Sequence, residues 1–296
     1  MGNDGRLDMA RQAANVVGAL FQVAMTVVAS AKIQEIVDRG PGSLVEPAAY
    51  AFAVWALIFA LSLVYAVYGA LPANRENPLL RRIGWYTAGA FAFTGMWSVF
   101  VPAEQLLLAQ AMLIVVFLCL AVAYLRLARS ERDTLSAADR WLVALPLGPF
   151  FGWITAANAV SLTSEAVRFG LVEARGASEA LLGSTLLLLG GVLAAAVVLA
   201  GKSGPIQGYL SYGVTVLWAL FAVVTNQYDA SLITTGAALI AAVPIVLALL
   251  GQLPGVRPIG GKAGLLVPTS PDAGTQSLSR SNLRRERGCR TWNEDG

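Results

Sequence analysis

An all-α fold built into a membrane follows from three features of this 296-residue sequence. It is 56% hydrophobic and only 13% charged, against about 25% charged in an ordinary soluble domain. The charges gather between long apolar runs instead of alternating with apolar residues. Those runs number about eight, and each is long enough to cross ~30 Å of hydrocarbon. Mean hydropathy is +0.64. A soluble protein of this length buries one core and has no use for eight separate runs of that length, so the chain reads as a polytopic integral membrane protein. The formal net charge of +3 says little about partners. Its basic residues serve topology, and no nucleic-acid partner is expected.

The spans fall, in order, at about 11–33, 47–71, 82–101, 104–127, 139–163, 178–200, 204–224 and 230–251. The first follows Arg6 and Arg11; it is too long for a signal-peptide core, lacks a clear small-residue cleavage site, and reads as a retained helix. The second ends before Arg75. The third starts beside Arg81, Arg82 and Trp85, and the fourth ends at Arg126 and Arg129. The fifth opens beside Arg140 and Trp141 and contains LPLGPFFGWITAAN (145–158), whose prolines bend the helix while its glycines leave room for a close neighbour. The sixth carries Gly190 and Gly191, a close-packing signal in a Leu/Ala-rich helix. The seventh follows Lys202 and holds Trp218. The eighth leads into a Gly-, Pro- and Ser-rich basic tail, 252–296, which reads as disordered.

Lys and Arg set the orientation. With the N-terminus inside, the inner segments before the tail hold ten of them: Arg6, Arg11, Arg75, Arg81, Arg82, Arg126, Arg129, Arg132, Arg140 and Lys202. The outer loops hold four: Lys32, Arg39, Arg168 and Arg175. Both termini are therefore expected in the cytoplasm. Trp85 and Trp141, beside arginines, read as interfacial belt residues.

Several functions are disfavoured. Histidine is absent, which removes His-ligated haem, most zinc sites and a His general base. Cys119 and Cys289 lie far apart, one within a span and one in the tail, so neither a disulfide nor a metal site is indicated. No acid or base sits near the centre of a span, which counts against ion-coupled carriers. Nothing resembles a P-loop or a nucleophile elbow. No enzyme activity, cofactor or metal is expected.

The remaining signal is aromatic. Trp55, Trp97, Trp153 and Trp218 lie inside spans, between mid-membrane and the outer surface. Phe52, Trp55 and Phe59 share a face of the second helix, and Phe93, Trp97 and Phe100 share one of the third. Phe150, Trp153, Ala157 and Ser161 align on the fifth, with Asn158 rotated about 140° from Trp153. Each ring taken singly is read as helix packing. Three aromatic faces together suggest a cavity for a flat apolar ligand, while Asn158 and Thr155 read as bonds to a neighbouring helix.

These residues resemble the TspO/MBR family, the translocator-protein or tryptophan-rich sensory proteins, over about residues 10–165. PAAYAFAVWALIFALSLVYAVY (47–68) is similar to the aromatic start of the family's second helix. AFTGMWSVFV (92–101) resembles the Asn-x-x-Trp-Ser stretch of the third, and PFFGWITAANAVS (149–161) the Pro-Tyr-x-x-Trp motif of the fifth. Thr94 stands where the family usually has Asn, Phe150 replaces Tyr, and Ser161 occupies a later Asn position. Phe52 and Trp55 are one residue closer than usual. The resemblance implies a five-helix bundle over 1–165, with three further helices over 166–251 outside the pattern. It also implies a membrane receptor or carrier, usually a homodimer, that binds a tetrapyrrole such as protoporphyrin, or a sterol-like molecule. Some bacterial members are linked to light-dependent porphyrin breakdown. By carry-over Phe52, Trp55, Thr94, Trp97, Phe150, Trp153 and Ser161 bind the ligand, and the 34–46 loop covers it. A bacterial inner membrane is the expected location. The alternative is a permease for a neutral solute, suggested by eight spans and a Pro/Gly-broken fifth helix; the lack of an internal repeat weighs against it. Val122-Ala-Tyr124-Leu-Arg126 satisfies a loose cholesterol-contact pattern and reads more simply as a Tyr–Arg interfacial anchor.

Overall fold

The computed structural model describes residues 3–39, 42–130 and 135–252; the basic tail and Cys289 lie outside them. Eight long helices follow one another: α1 (Asn3–Arg39), α2 (Val54–Ala70), α3 (Pro78–Phe100), α4 (Leu106–Ala128), α5 (Leu145–Arg168), α6 (Ala177–Ala200), α7 (Ile206–Gln227) and α8 (Leu232–Leu250). A 3-10 turn, Ala49–Ala53, leads into α2. A short turn, Ala137–Asp139, and a π-helical stretch, Arg140–Ala144, lead into α5. No strand occurs among the described residues. The expected spans match these helices within several residues except the first. α1 has 37 residues, about 55 Å at 1.5 Å each, because no breaker precedes Gly40-Pro41-Gly42. Residues 34–39, expected in a loop, are therefore helical.

Seven of the helical segments are long and apolar enough to cross a membrane by themselves; α3 is not among them. Its hydropathy is lowered by Arg81, Arg82 and a series of small or polar residues, and these are the residues that meet its neighbours. α3 packs between α1 and α4. A Cβ on Gly84 would meet Arg11, one on Gly95 would meet Phe21, and one on Gly89 would meet Cys119. The small and polar residues along α3 thus face its neighbours, while Arg81 and Arg82 stay exposed at its start.

Helix ends are tied at both ends of the bundle. At one, Arg81 pairs with Asp8 of α1, Arg11 donates to the Arg75 carbonyl at 2.6 Å, and Gln12 donates to the Gly69 carbonyl at 2.7 Å. Asp139 accepts from Tyr68 (3.0 Å) and Asn77 (2.9 Å) while closing a capping box with Ser136. Gln252 donates to the Val198 carbonyl at 2.9 Å. The starts of α1, α3 and α5 thus meet the end of α2, and the ends of α6 and α8 meet each other. The basic segments gather at this end, with Trp85 and Trp141 exposed there. Tyr124 is no interfacial anchor: it is buried against Phe151 and Tyr212, and its hydroxyl donates to the Val197 carbonyl. Arg126 lies instead over the Tyr86 ring at 4.6 Å.

At the other end Glu179, fully buried at the start of α6, accepts from Ser43 Oγ (2.7 Å), the Leu44 amide (2.7 Å) and the Arg175 amide (2.6 Å). Gln227 of α7 donates to the Ser43 and Glu46 carbonyls. The 42–48 segment is thereby fixed to α6 and α7.

The buried face of α1 is polar for much of its length. Asn15 donates to the Gly84 carbonyl (2.7 Å) and accepts from Thr87 (2.6 Å), which also bonds Tyr65 of α2 (2.8 Å). Thr26 reaches Ser98 at 2.7 Å. Between these bonds sits Gln22, fully buried, with neither amide atom hydrogen-bonded.

α5 meets α7 through its glycines. A Cβ on Gly148 would lie 2.6 Å from the Gly208 carbonyl oxygen, and one on Gly152 the same distance from that of Tyr212. Pro149 cannot donate to the Leu145 carbonyl; Ser211 Oγ of α7 lies 3.5 Å from that oxygen, with the Gln207 carbonyl of its own helix the nearer acceptor. Of the paired glycines on α6, Gly191 packs on Ala241 of α8, whereas Gly190 has open space.

Two stability outcomes follow. Gly152→Ala forces α5 and α7 apart and destabilises by roughly 1–3 kcal/mol, whereas Gly190→Ala brings no loss; thermal melting in detergent compares them. Gln22→Leu, close in volume, removes two unpaired buried polar atoms and raises the melting temperature, since such a group costs about 1–3 kcal/mol. A lowered melting temperature would show that the Gln22 amide contributes a bond of its own.

Candidate functional site

The 3-10 turn Ala49–Ala53 is held against α7 by several contacts, among them the Tyr50 hydroxyl 2.9 Å from Thr225 Oγ1. The Ala48 amide donates to the Ala222 carbonyl (3.0 Å), the Trp218 indole donates to the Ala51 carbonyl (3.3 Å), and Tyr50 meets the Trp218 ring edge-on at 5.3 Å. This gives Trp218 the role that resemblance leaves open: it secures the start of α2. The turn sets Phe52 edge-on to Trp153 at 5.6 Å. Three residues further, Trp55 becomes the hub of the aromatic set. It stacks near-parallel on Phe59 (5.3 Å, 26°) and Trp97 (6.4 Å, 21°), and meets Trp153 edge-on (6.3 Å, 78°).

Phe52, Trp55, Trp97 and Trp153 line a cavity of about 250 Å³. It lies in the half of the bundle away from the basic end. α4 contributes Leu106, Gln110 and Leu113, and α5 continues the wall through Ala157, Ser161, Ser164, Glu165 and Arg168. Gly42, Ser43, Glu46 and Pro47 close one side, so the described part of the 34–46 segment does border the site. α6 and α7 complete it with Leu187, Gly190, Val216, Leu220 and Val223. Five helices alone would leave this cavity without a wall.

Five of the seven residues expected at the site line the cavity: Phe52, Trp55, Trp97, Trp153 and Ser161. Thr94 and Phe150 do not. Thr94 is buried, and its hydroxyl donates to the Ala90 carbonyl of its own helix at 2.8 Å. Phe150 stacks on Phe91 (6.0 Å, 9°) in a separate niche toward the basic end, with Tyr65, Thr87 and Leu120. Helical alignment with Trp153 hid this, because Phe150 sits nearly a turn deeper, where α2 and α3 fill the space. Phe150 touches Trp55 from behind at 6.4 Å and supports the wall without forming it.

The inter-helix roles expected of Thr155 and Asn158 are seen. Thr155 lies 3.2 Å from the Tyr212 hydroxyl of α7, and Asn158 accepts from Gln110 of α4 at 3.2 Å. Gln110 and Glu165 line the cavity and are not among the residues singled out from sequence. Gln110 is an isolated amide in the apolar run LLLAQAMLIVVFLCLAV (106–122), a signal lost when only charged residues are sought. Glu165 fell outside the expected span, which stops at 163, whereas α5 continues to Arg168. Among the described residues no cluster of His, Cys, Asp and Glu has the makings of a metal site.

The model of one protein family, described as TSPO-like protein, matches residues 12–250. No curated protein and no solved structure matches the chain. The family match continues past the 10–165 stretch that carries the sequence resemblance and takes in α6, α7 and α8. That agrees with a cavity whose wall needs α6 and α7. An integral membrane protein of eight packed helices, matched over most of its length, this chain belongs to the TSPO-like family.

Proposed function

We propose that the chain is a membrane receptor or carrier that binds an apolar, aromatic small molecule in the cavity between α2, α3, α5 and α7. The observation that supports this most directly is the convergence of three tryptophans from three helices on one cavity. Trp55 and Trp97 lie near-parallel and offer a flat π surface, while Trp153 adds a ring edge. Such a wall favours planar ligands, since offset and edge-to-face contacts between rings add to simple burial. At about 250 Å³ the cavity is slightly below the usual range for small-molecule sites, roughly 300–1,000 Å³, which suits a flat polycycle better than a bulky one. Tetrapyrroles and sterol-like molecules are the ligand classes that the family resemblance supplies. The reading is of binding for sensing or transport, without catalysis, and with the basic end in the cytoplasm.

Titration of the purified protein with protoporphyrin is expected to quench tryptophan emission saturably. The Trp55→Leu/Trp153→Leu double variant, shown to be folded by its melting transition, is expected to bind at least ~10-fold more weakly, corresponding to the loss of about 1.4 kcal/mol or more. Unchanged affinity in that variant would remove this cavity as the site.

A further inference from the structure

The cavity has an aromatic side and a polar side, and two acceptor atoms on the polar side lack a donor. Gln110 is about nine-tenths buried. Its amide orientation is dictated by its neighbour: Asn158 must turn its NH₂ toward the Ile154 carbonyl at 2.9 Å and the Leu113 carbonyl at 3.5 Å. Its own oxygen then faces Gln110, so Gln110 must present its NH₂ there, at 3.2 Å. The opposite assignment of either amide would set oxygen against oxygen. Gln110 Oε1 is left as the free atom, buried and without a hydrogen-bond partner. Glu165 Oε2 is in the same condition. Asn158 and Glu165 are seven residues apart on α5 and so share a helix face. Both Gln110 and Glu165 line the cavity.

These two atoms accept hydrogen bonds and cannot satisfy each other, since neither an amide oxygen nor an ionised carboxylate donates. The charged residues of the lining are Glu46, Glu165 and Arg168, a net negative set. Arg168 is exposed, and among the described residues it makes no ion pair with Glu165 within 4 Å. A buried acceptor without a donor is unfavourable, and a carboxylate bonds a cationic N–H donor more strongly than a neutral one.

We propose that the site selects ligands that carry a protonated amine on a flat aromatic body, with Glu165 Oε2 and Gln110 Oε1 receiving its N–H groups while the rings lie against Trp55, Trp97 and Trp153. This rests on the cavity being the ligand site.

Two probes of equal ring size separate the claims: 1-pyrenemethylamine, cationic at pH 7, and neutral 1-pyrenemethanol, each titrated in neutral maltoside detergent with tryptophan emission as the readout. The wild-type protein is expected to bind the amine at least ~10-fold more tightly than the alcohol, the scale of a charge-assisted hydrogen bond. In Glu165→Gln the ratio of the two Kd values is expected to fall below about threefold, and in Gln110→Leu to fall part of the way. Melting curves establish that both variants are folded. Equal wild-type affinities for the two probes overturn the proposal while leaving the cavity as an aromatic-ligand site. A preference that survives in both variants also overturns it, by placing the amine elsewhere. If neither probe quenches the wild-type protein, the cavity reading itself fails.

Discussion

The close approach of α7 to α5 is the contact on which the architecture depends. It is possible because Gly148 and Gly152, one helical turn apart, present bare backbone to Gly208, Ser211 and Tyr212. In a membrane the hydrophobic effect does little to drive helices together, so association rests on close van der Waals packing and a few polar bonds. The same segment contains Pro149, which would leave the Leu145 carbonyl unsatisfied in lipid; α7 is near enough to bring Ser211 toward it. Once α7 is seated there, Val216, Leu220 and Val223 back the cavity, and Trp218 with Ala222 anchors the start of α2. The last three helices are thus part of the bundle that holds the site.

Polar groups divide the labour between the two ends. At the basic end Asp8 and Asp139 gather the ends of several helices through arginine, tyrosine and asparagine side chains. At the other end one carboxylate, Glu179, holds Ser43 and Leu44 and also the Arg175 amide. Its place at the start of α6 is electrostatically apt, because the free amides there favour negative charge. A buried carboxylate with three donors rigidifies the 42–48 segment beside the cavity. The site is therefore framed by structure that does not depend on a ligand for its order.

Much of this was readable in the sequence, and the misses share a physical cause. Helix number, the position of the aromatic set and the gathering of basic residues at one end follow from hydropathy, spacing and charge. Five of the seven residues named from helical faces and the family resemblance line the cavity, since periodicity reports which side chains share a direction. It does not report which neighbour fills each depth: Phe150 shares Trp153's general direction but lies about 4.5 Å deeper, where Phe91 occupies the space. Nor does it report a partner's surface. The polar face of α1, with Asn15 bonded to Thr87 and Gln12 to Gly69, is invisible to a search for ionisable residues, as was Gln110. The role of α6 and α7 in the cavity wall depends on tertiary contacts that a local motif over 10–165 cannot encode.

The aromatic residues also show that packing and cavity lining are not competing accounts of one side chain. Trp55 contacts Phe59, Trp97, Phe150 and Trp153, which is what a packing role requires, and it still presents surface to the cavity. Rings that hold one another in place lose little freedom when a ligand arrives, so less of the interaction energy goes into ordering the wall. Phe150 contributes in this way without touching the cavity: stacked on Phe91, it limits how far Trp55 can retreat. The corollary is selectivity by shape. Under the proposed function, a wall braced from behind yields little to a thick ligand, and discrimination among apolar ligands would come from planarity before it comes from hydrophobicity.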